Sequence, residues 1–124
     1  MKKNRVLLII PAYNEEDVIE NTIFEIENFK KTLIYLHSKY SLDYIVINDG
    51  STDRTSNILD KMKIKHIDLI DNLGIGGAVQ TGYKYAFEHQ YDTAIQFDGD
   101  GQHDINSISE VIVCGKINVH TFAA

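Results

Sequence analysis

The chain has 124 residues, 44% of them hydrophobic, with 12 Lys+Arg against 18 Asp+Glu and a formal net charge of -6, which fits one domain with an ordinary buried core rather than a disordered segment. The negative balance excludes a nucleic-acid binder, or a binder of anionic lipid, that relies on bulk charge attraction. The single cysteine, Cys114, excludes an internal disulfide and fits a reducing compartment.

Lys2, Lys3 and Arg5 ahead of Val6-Leu-Leu-Ile-Ile10 imitate the start of a secretory signal, but the run ends at Pro11, before Glu15-Glu16-Asp17, without a small-residue cleavage site. Arg5 to Ile10 reads instead as a buried strand of a cytosolic-type domain, and no stretch approaches the roughly eighteen apolar residues of a membrane span. Val18, Ile19, Ile23, Ile26, Phe29, Leu33 and Leu36 then recur at helical spacing, with Asn14 and Asp17 offering a cap and an acidic first turn. Tyr44–Ile47 is a second apolar run, and Ser51 or Thr52 can start a helix through Ile58, Leu59 and Met62. His66–Ile70, interrupted by Asp68, is a third strand, followed by a helix carrying Ala78, Val79, Tyr83, Ala86 and Phe87. Ala94–Phe97 is the fourth strand, and a weaker helical pattern runs from about Ile105 to Cys114. Near-continuous apolar strands alternating with helices imply an α/β fold, a three-layer α/β/α sandwich with a mainly parallel sheet.

In such sheets ligands bind beyond the carboxyl ends of the strands. The segments there are Pro11-Ala-Tyr-Asn-Glu15, Asn48-Asp-Gly-Ser-Thr-Asp53, Asp71-Asn-Leu-Gly-Ile-Gly-Gly77 and Asp98-Gly-Asp-Gly-Gln-His103. Asp98 and Asp100, two apart on an extended chain, can converge on one face; about 5.5 Å apart at an effective dielectric near 20 they repel by roughly 3 kcal/mol. A site keeping both ionised wants a hard divalent cation, Mg²⁺ or Mn²⁺, to which Gln102 adds a neutral oxygen. Zinc is disfavoured, because no Cys/His cluster accompanies them. Asp-Gly-Asp-Gly is also a turn sequence, but its place after an apolar strand favours the site. Asp49 can accept the N–H of a nucleobase, or can simply form the turn and cap of the next helix. Asp53 and Arg54 read as capping and surface residues. Pro11, Tyr13 and Glu15 offer a rigid turn, a stacking ring and an acceptor for ribose hydroxyls, although Tyr13 alone is equally a core tyrosine.

Three imitations fail. Gly74-Ile-Gly-Gly77 follows the third strand rather than the first, so it reads as a helix start admitting a sugar or diphosphate rather than a dinucleotide fingerprint. An EF-hand loop from Asp98 would need Gly and Glu where His103 and Ser109 stand. A haloacid-dehalogenase-type phosphatase needs its Asp-x-Asp on the first strand. Histidines 37, 66, 89 and 120 share no spacing and are assigned to surface or packing, and His103 to the site edge.

Taken together, Ile10-Pro-Ala-Tyr-Asn-Glu-Glu16, Val46-Ile-Asn-Asp-Gly-Ser-Thr-Asp53, Asn72-Leu-Gly-Ile-Gly-Gly-Ala78 and Phe97-Asp-Gly-Asp-Gly-Gln-His-Asp104 resemble a family 2 glycosyltransferase with the GT-A fold, of the dolichyl-phosphate mannosyltransferase-like branch. The resemblance covers residues 5–112 of one incomplete domain spanning 1–124. It implies that Pro11, Tyr13 and Glu15 line the base and ribose, Asp49 binds the base edge, Asp98 meets the ribose or diphosphate, and Asp98, Asp100 and Gln102 hold the metal. It further implies a UDP- or GDP-linked sugar as donor, a polyprenyl phosphate or growing glycan as acceptor, inversion at the anomeric carbon, and a cytoplasmic location at the membrane face. No nucleic-acid partner is expected. Asn48 stands where the family usually has Asp, and Ile105 where it usually has Pro.

Past Val113 the resemblance stops, so the acceptor half and any catalytic base are expected beyond Ala124. An apolar face left uncovered there would favour self-association. The alternative reading is a non-catalytic nucleotide- or metal-binding fragment. A nucleotidyltransferase is disfavoured, because Ala12-Tyr13-Asn14 is not a glycine-rich basic phosphate loop.

Overall fold

A computed structural model describes residues 3–36 and 39–98. Four strands, β1 (Asn4–Ala12), β2 (Tyr40–Asn48), β3 (His66–Asp68) and β4 (Thr93–Gln96), alternate with α1 (Ile19–Leu36), α2 (Thr55–Lys61) and α3 (Gly74–Glu88). The strands pair in parallel in the order β3-β2-β1-β4. The helix expected near Ile105–Cys114, together with Asp100, Gln102 and His103, lies outside the described residues. No helix among the described residues is long and apolar enough to cross a membrane.

Five consecutive β1 side chains, Val6 to Ile10, are each at most 1% exposed. Alternation sends Val6, Leu8 and Ile10 to a core with Ile19, Ile23, Ile26, Phe29 and Leu33 of α1 and Leu59 of α2. Leu7 and Ile9 pack on the other face with Ala78 and Ala86 of α3, beside Ile45 and Ile47 of β2. Each such side chain contributes roughly 1.5–3 kcal/mol on burial. Burial on both faces explains why the apolar runs are unbroken, and it gives the expected three layers. α3 lies close to the sheet at Gly82, where an added Cβ would stand 2.3 Å from Cγ2 of Ile9.

Several boundaries differ from the expectation, among them the start of α2, at Thr55 rather than at Ser51 or Thr52. β2 begins at Tyr40, because buried Tyr40 and Leu42 alternate with less buried Ser41 and Asp43 and extend the pairing with β1. β3 ends at Asp68, and Ile70 is 98% exposed. α1 begins at Ile19, after a turn in which the Ile19 amide donates to the Glu15 carbonyl. Asn14, at φ 51, does not cap it.

His66 is more than a packing residue. Its Nε2 lies 2.7 Å from Asp60 Oδ1 and its Nδ1 2.8 Å from Asp68 Oδ1. Asp68 also accepts from Asn48 Nδ2 at 2.9 Å and from the Ser56 hydroxyl at 3.1 Å. An aspartate at position 48 would set two carboxylates against each other, which gives a physical reason for the amide there. With a carboxylate against each ring nitrogen, the protonated ring can donate to both, which favours the charged form. Burial works to lower its pKa, but the hydrogen bonds to Asp60 and Asp68 prevail and hold it above the ordinary value.

Two outcomes follow from this packing. Gly82→Ala should lower stability by about 1–3 kcal/mol through overpacking, whereas Gly76→Ala, whose Cβ would meet nothing within 4 Å, should leave the thermal midpoint unchanged or raise it. His66, with its folded pKa raised above an unfolded value of about 6.5, contributes stability that is complete below that pH and lost as pH rises through the folded pKa. Thermal midpoints measured from pH 6 upward should therefore decline, and His66→Asn should flatten that decline.

Candidate functional site

The parallel order places the loops after β1, β2, β3 and β4 side by side at one sheet edge. There a cavity of about 330 Å³ is lined by Pro11, Tyr13, Glu15, Asp49, Asn72, Gly74, Ile75 and Asp98. All five candidate residues within the described segments thus converge on one hollow. Asp100 and Gln102 lie outside the described residues. A larger cavity, of about 480 Å³, opens toward the amino ends of the strands. In that cavity the Tyr44 and Tyr91 hydroxyls donate to Glu27 and Asp43, and its polar side chains largely pair with one another rather than converge on an open space.

Asp49 forms the floor of the carboxyl-edge cavity. It is 3% exposed, and its carboxylate accepts the Leu73 amide at 2.7 Å (Oδ1) and the Gly74 amide at 3.0 Å (Oδ2). Its carbonyl accepts from Asn72 Nδ2 at 3.2 Å. A buried carboxylate is tolerated when charge-assisted hydrogen bonds replace water, and the positive end of α3 adds to that. The residue is therefore a cap, though of α3 rather than of the helix that follows it in sequence. Each oxygen still has a second lone pair for a ligand donor. Next to it Gly50, at φ +72, lets the β2–α2 loop cross the β3–α3 loop closely: a Cβ there would stand 2.6 Å from the Asn72 nitrogen.

A second set of bonds fixes the wall carrying Tyr13 and Glu15. The Asn14 amide donates to Ser51 Oγ at 2.9 Å, the Glu15 amide to Thr55 Oγ1 at 2.9 Å and the Glu16 amide to Asp53 Oδ2 at 3.1 Å. In return the Thr52 amide donates to Asn14 Oδ1 at 2.8 Å and the Arg54 amide to Glu16 Oε2 at 3.3 Å. Ser51-Thr-Asp53 thus staples two loops. This role escapes sequence reading, since the same residue types serve as ordinary helix caps. Burial would raise the Asp53 pKa, but the Thr55 hydroxyl and the amides of Thr55 and Glu16 prevail and hold it below the usual carboxylate range.

Glu15, Asp49 and Asp98 bring three carboxylates to the cavity, and no described lining residue is cationic. Hard oxygen donors of this kind suit Mg²⁺ or Mn²⁺. Among the described residues no three His, Cys, Asp or Glu side chains are grouped closely enough to hold a metal by themselves.

The family model described as "Glycosyl transferase family 2" matches residues 7–112. The UDP-N-acetylglucosamine--dolichyl-phosphate N-acetylglucosaminyltransferase of Methanococcus voltae is 34% identical over 129 aligned positions, covering 90% of this chain and 47% of that protein. The polyprenol monophosphomannose synthase of Mycolicibacterium smegmatis is 24% identical, covering 87% of this chain and 40% of that one. The chain therefore spans somewhat under half the length of these curated relatives. Among solved structures, S. aureus TarS 1-349 superposes with a TM-score of 0.64 at 23% identity, over 91% of this chain and 32% of that one; the same protein has been solved in complex with UDP. The likeness to TarS is one of fold, the GT-A arrangement.

Replacing Asp49 should uncouple the two loops. Asp49→Ala leaves the Leu73 and Gly74 amides without their acceptor and should destabilise the chain by about 1–3 kcal/mol. A thermal midpoint equal to that of the unaltered chain would contradict the clamp.

Proposed function

The chain belongs to glycosyl transferase family 2, and from that premise we propose that it is the nucleotide-sugar-binding half of a glycosyltransferase. The reading is supported above all by the carboxyl-edge cavity, which gathers Tyr13, Glu15, Asp49 and Asp98 on a clamped frame and offers three carboxylates but no described cationic side chain. A nucleoside diphosphate is itself anionic, so it would enter such a hollow only in company with a cation. Asp98, with Asp100 and Gln102, would hold that cation as Mg²⁺ or Mn²⁺. A bound divalent ion supplies neutralisation of the charge that grows on the departing diphosphate.

The remaining roles belong to the protein's own groups. Asp49 accepts a base N–H through its free lone pairs, Pro11 and Tyr13 flank the base, and Glu15 accepts from ribose hydroxyls. The donor would be a UDP- or GDP-linked sugar. The acceptor would be a polyprenyl phosphate or a growing glycan, attacking the anomeric carbon from the side opposite the diphosphate and inverting it. A lipid phosphate is already ionised and needs little help from a base. The names of the Methanococcus and Mycolicibacterium relatives, which include dolichyl phosphate and polyprenol, favour the lipid acceptor.

Calorimetric titration with UDP and GDP, each with and without Mn²⁺, tests the reading. Binding should require the metal, and Asp98→Asn and Asp100→Ala should each weaken it by roughly ten- to a hundredfold, as expected for loss of a charge-assisted contact of about 1.5–3 kcal/mol. Equal affinity with and without metal would contradict it.

A further inference from the structure

We propose that Ile75 is a nucleobase-binding residue, the apolar wall that faces Tyr13 across Asp49. The inference rests on the nucleotide reading above and extends it to Ile75, a residue to which the resemblance gives no role of its own. In the order β3-β2-β1, the loop carrying Ile75 follows β3, Asp49 follows β2 and Tyr13 follows β1. Asp49 is therefore the middle of the three along the sheet edge, and all three line the same cavity.

Ile75 is 56% exposed and Tyr13 47%, and neither belongs to the two cores. The residues around Ile75 keep this side chain isolated. Gly74 takes φ +84, a conformation that glycine alone adopts without strain. A Cβ on Gly74 or on Gly76 would meet nothing within 4 Å, so close packing does not explain glycine at either place. Gly76 is kept inside a helix although alanine would be the better helix former. The result is a bare ledge in Gly74-Ile-Gly-Gly77, from which only the Ile75 side chain projects.

A nucleobase has a hydrogen-bonding edge and two apolar faces. Asp49 offers an acceptor to the edge, and Tyr13 and Ile75 offer a ring and an aliphatic surface to the faces. The Ile75 position is set before any ligand arrives, because Asp49 holds the amides of the two preceding residues, Leu73 and Gly74. A wall fixed in advance needs little ordering on binding.

The test compares UDP with inorganic pyrophosphate, both with Mg²⁺, on the unaltered chain and on Ile75→Ala, Ile75→Leu and Ile75→Asp. Because the side chain is exposed, the thermal midpoints should agree. Ile75→Ala should weaken UDP by roughly three- to tenfold, in line with the apolar area removed, and Ile75→Asp more. Ile75→Leu should restore affinity, and pyrophosphate should bind all four alike. Unchanged UDP affinity in Ile75→Ala, or an equal loss for pyrophosphate, would overturn the assignment while leaving the nucleotide reading intact. Failure of the unaltered chain to bind either UDP or GDP would overturn both.

Discussion

The carboxylate of Asp49 sits 3% exposed at the end of β2 and takes the amides of Leu73 and Gly74 on separate oxygens. That contact ties a central strand to the start of α3, 15 residues long. It also explains why a charge can lie so deep: two amide donors and the positive end of a helix stand in for the water it has lost. Gly50 makes the contact possible by letting two backbones approach where any side chain would intrude. The cavity at the carboxyl edge has a floor because this crossing is closed.

The rest of the frame serves the same end. Residues 14–16 are held against residues 51–55 by hydrogen bonds running in both directions, so the wall bearing Tyr13 and Glu15 belongs to one unit with the floor. Groups held in place by bonded neighbours can meet a ligand with little reorganisation. The frame is nonetheless electrostatically one-sided, with three carboxylates around the hollow. A cation shared with an anionic ligand would relieve their repulsion, and this is the physical link between the cavity and the metal-bound diphosphate proposed for it.

Much of this was legible from residue patterns. The unbroken apolar runs at Val6–Ile10 and Tyr44–Ile47 mark strands buried on both faces, and a sheet buried on both faces puts its polar loops at one edge. Pro11, Tyr13, Glu15, Asp49 and Asp98 could be picked out for that reason, and the structure gathers them around one cavity. Other features depend on contacts between distant segments. Ser51-Thr-Asp53 read as a helix cap, and Asp53 does accept the Thr55 amide at the start of α2, but Ser51 and Asp53 also bind a loop some 37 residues earlier. His66 showed no spacing with other histidines, because its partners are Asp60 and Asp68. Ile75 is an isolated apolar residue in a glycine-rich stretch and becomes meaningful only when the strand order sets it beside Asp49.

Amide correlation spectra of the ¹⁵N-labelled chain, titrated with UDP in the presence of Mg²⁺, locate the ligand directly. The largest shifts should fall at Tyr13, Glu15, Asp49 and the amides of Leu73, Gly74 and Ile75, and should vanish when the ion is chelated. Shifts confined to the opposite cavity, at Lys65, Tyr85 and Tyr91, or shifts indifferent to chelation, would contradict it.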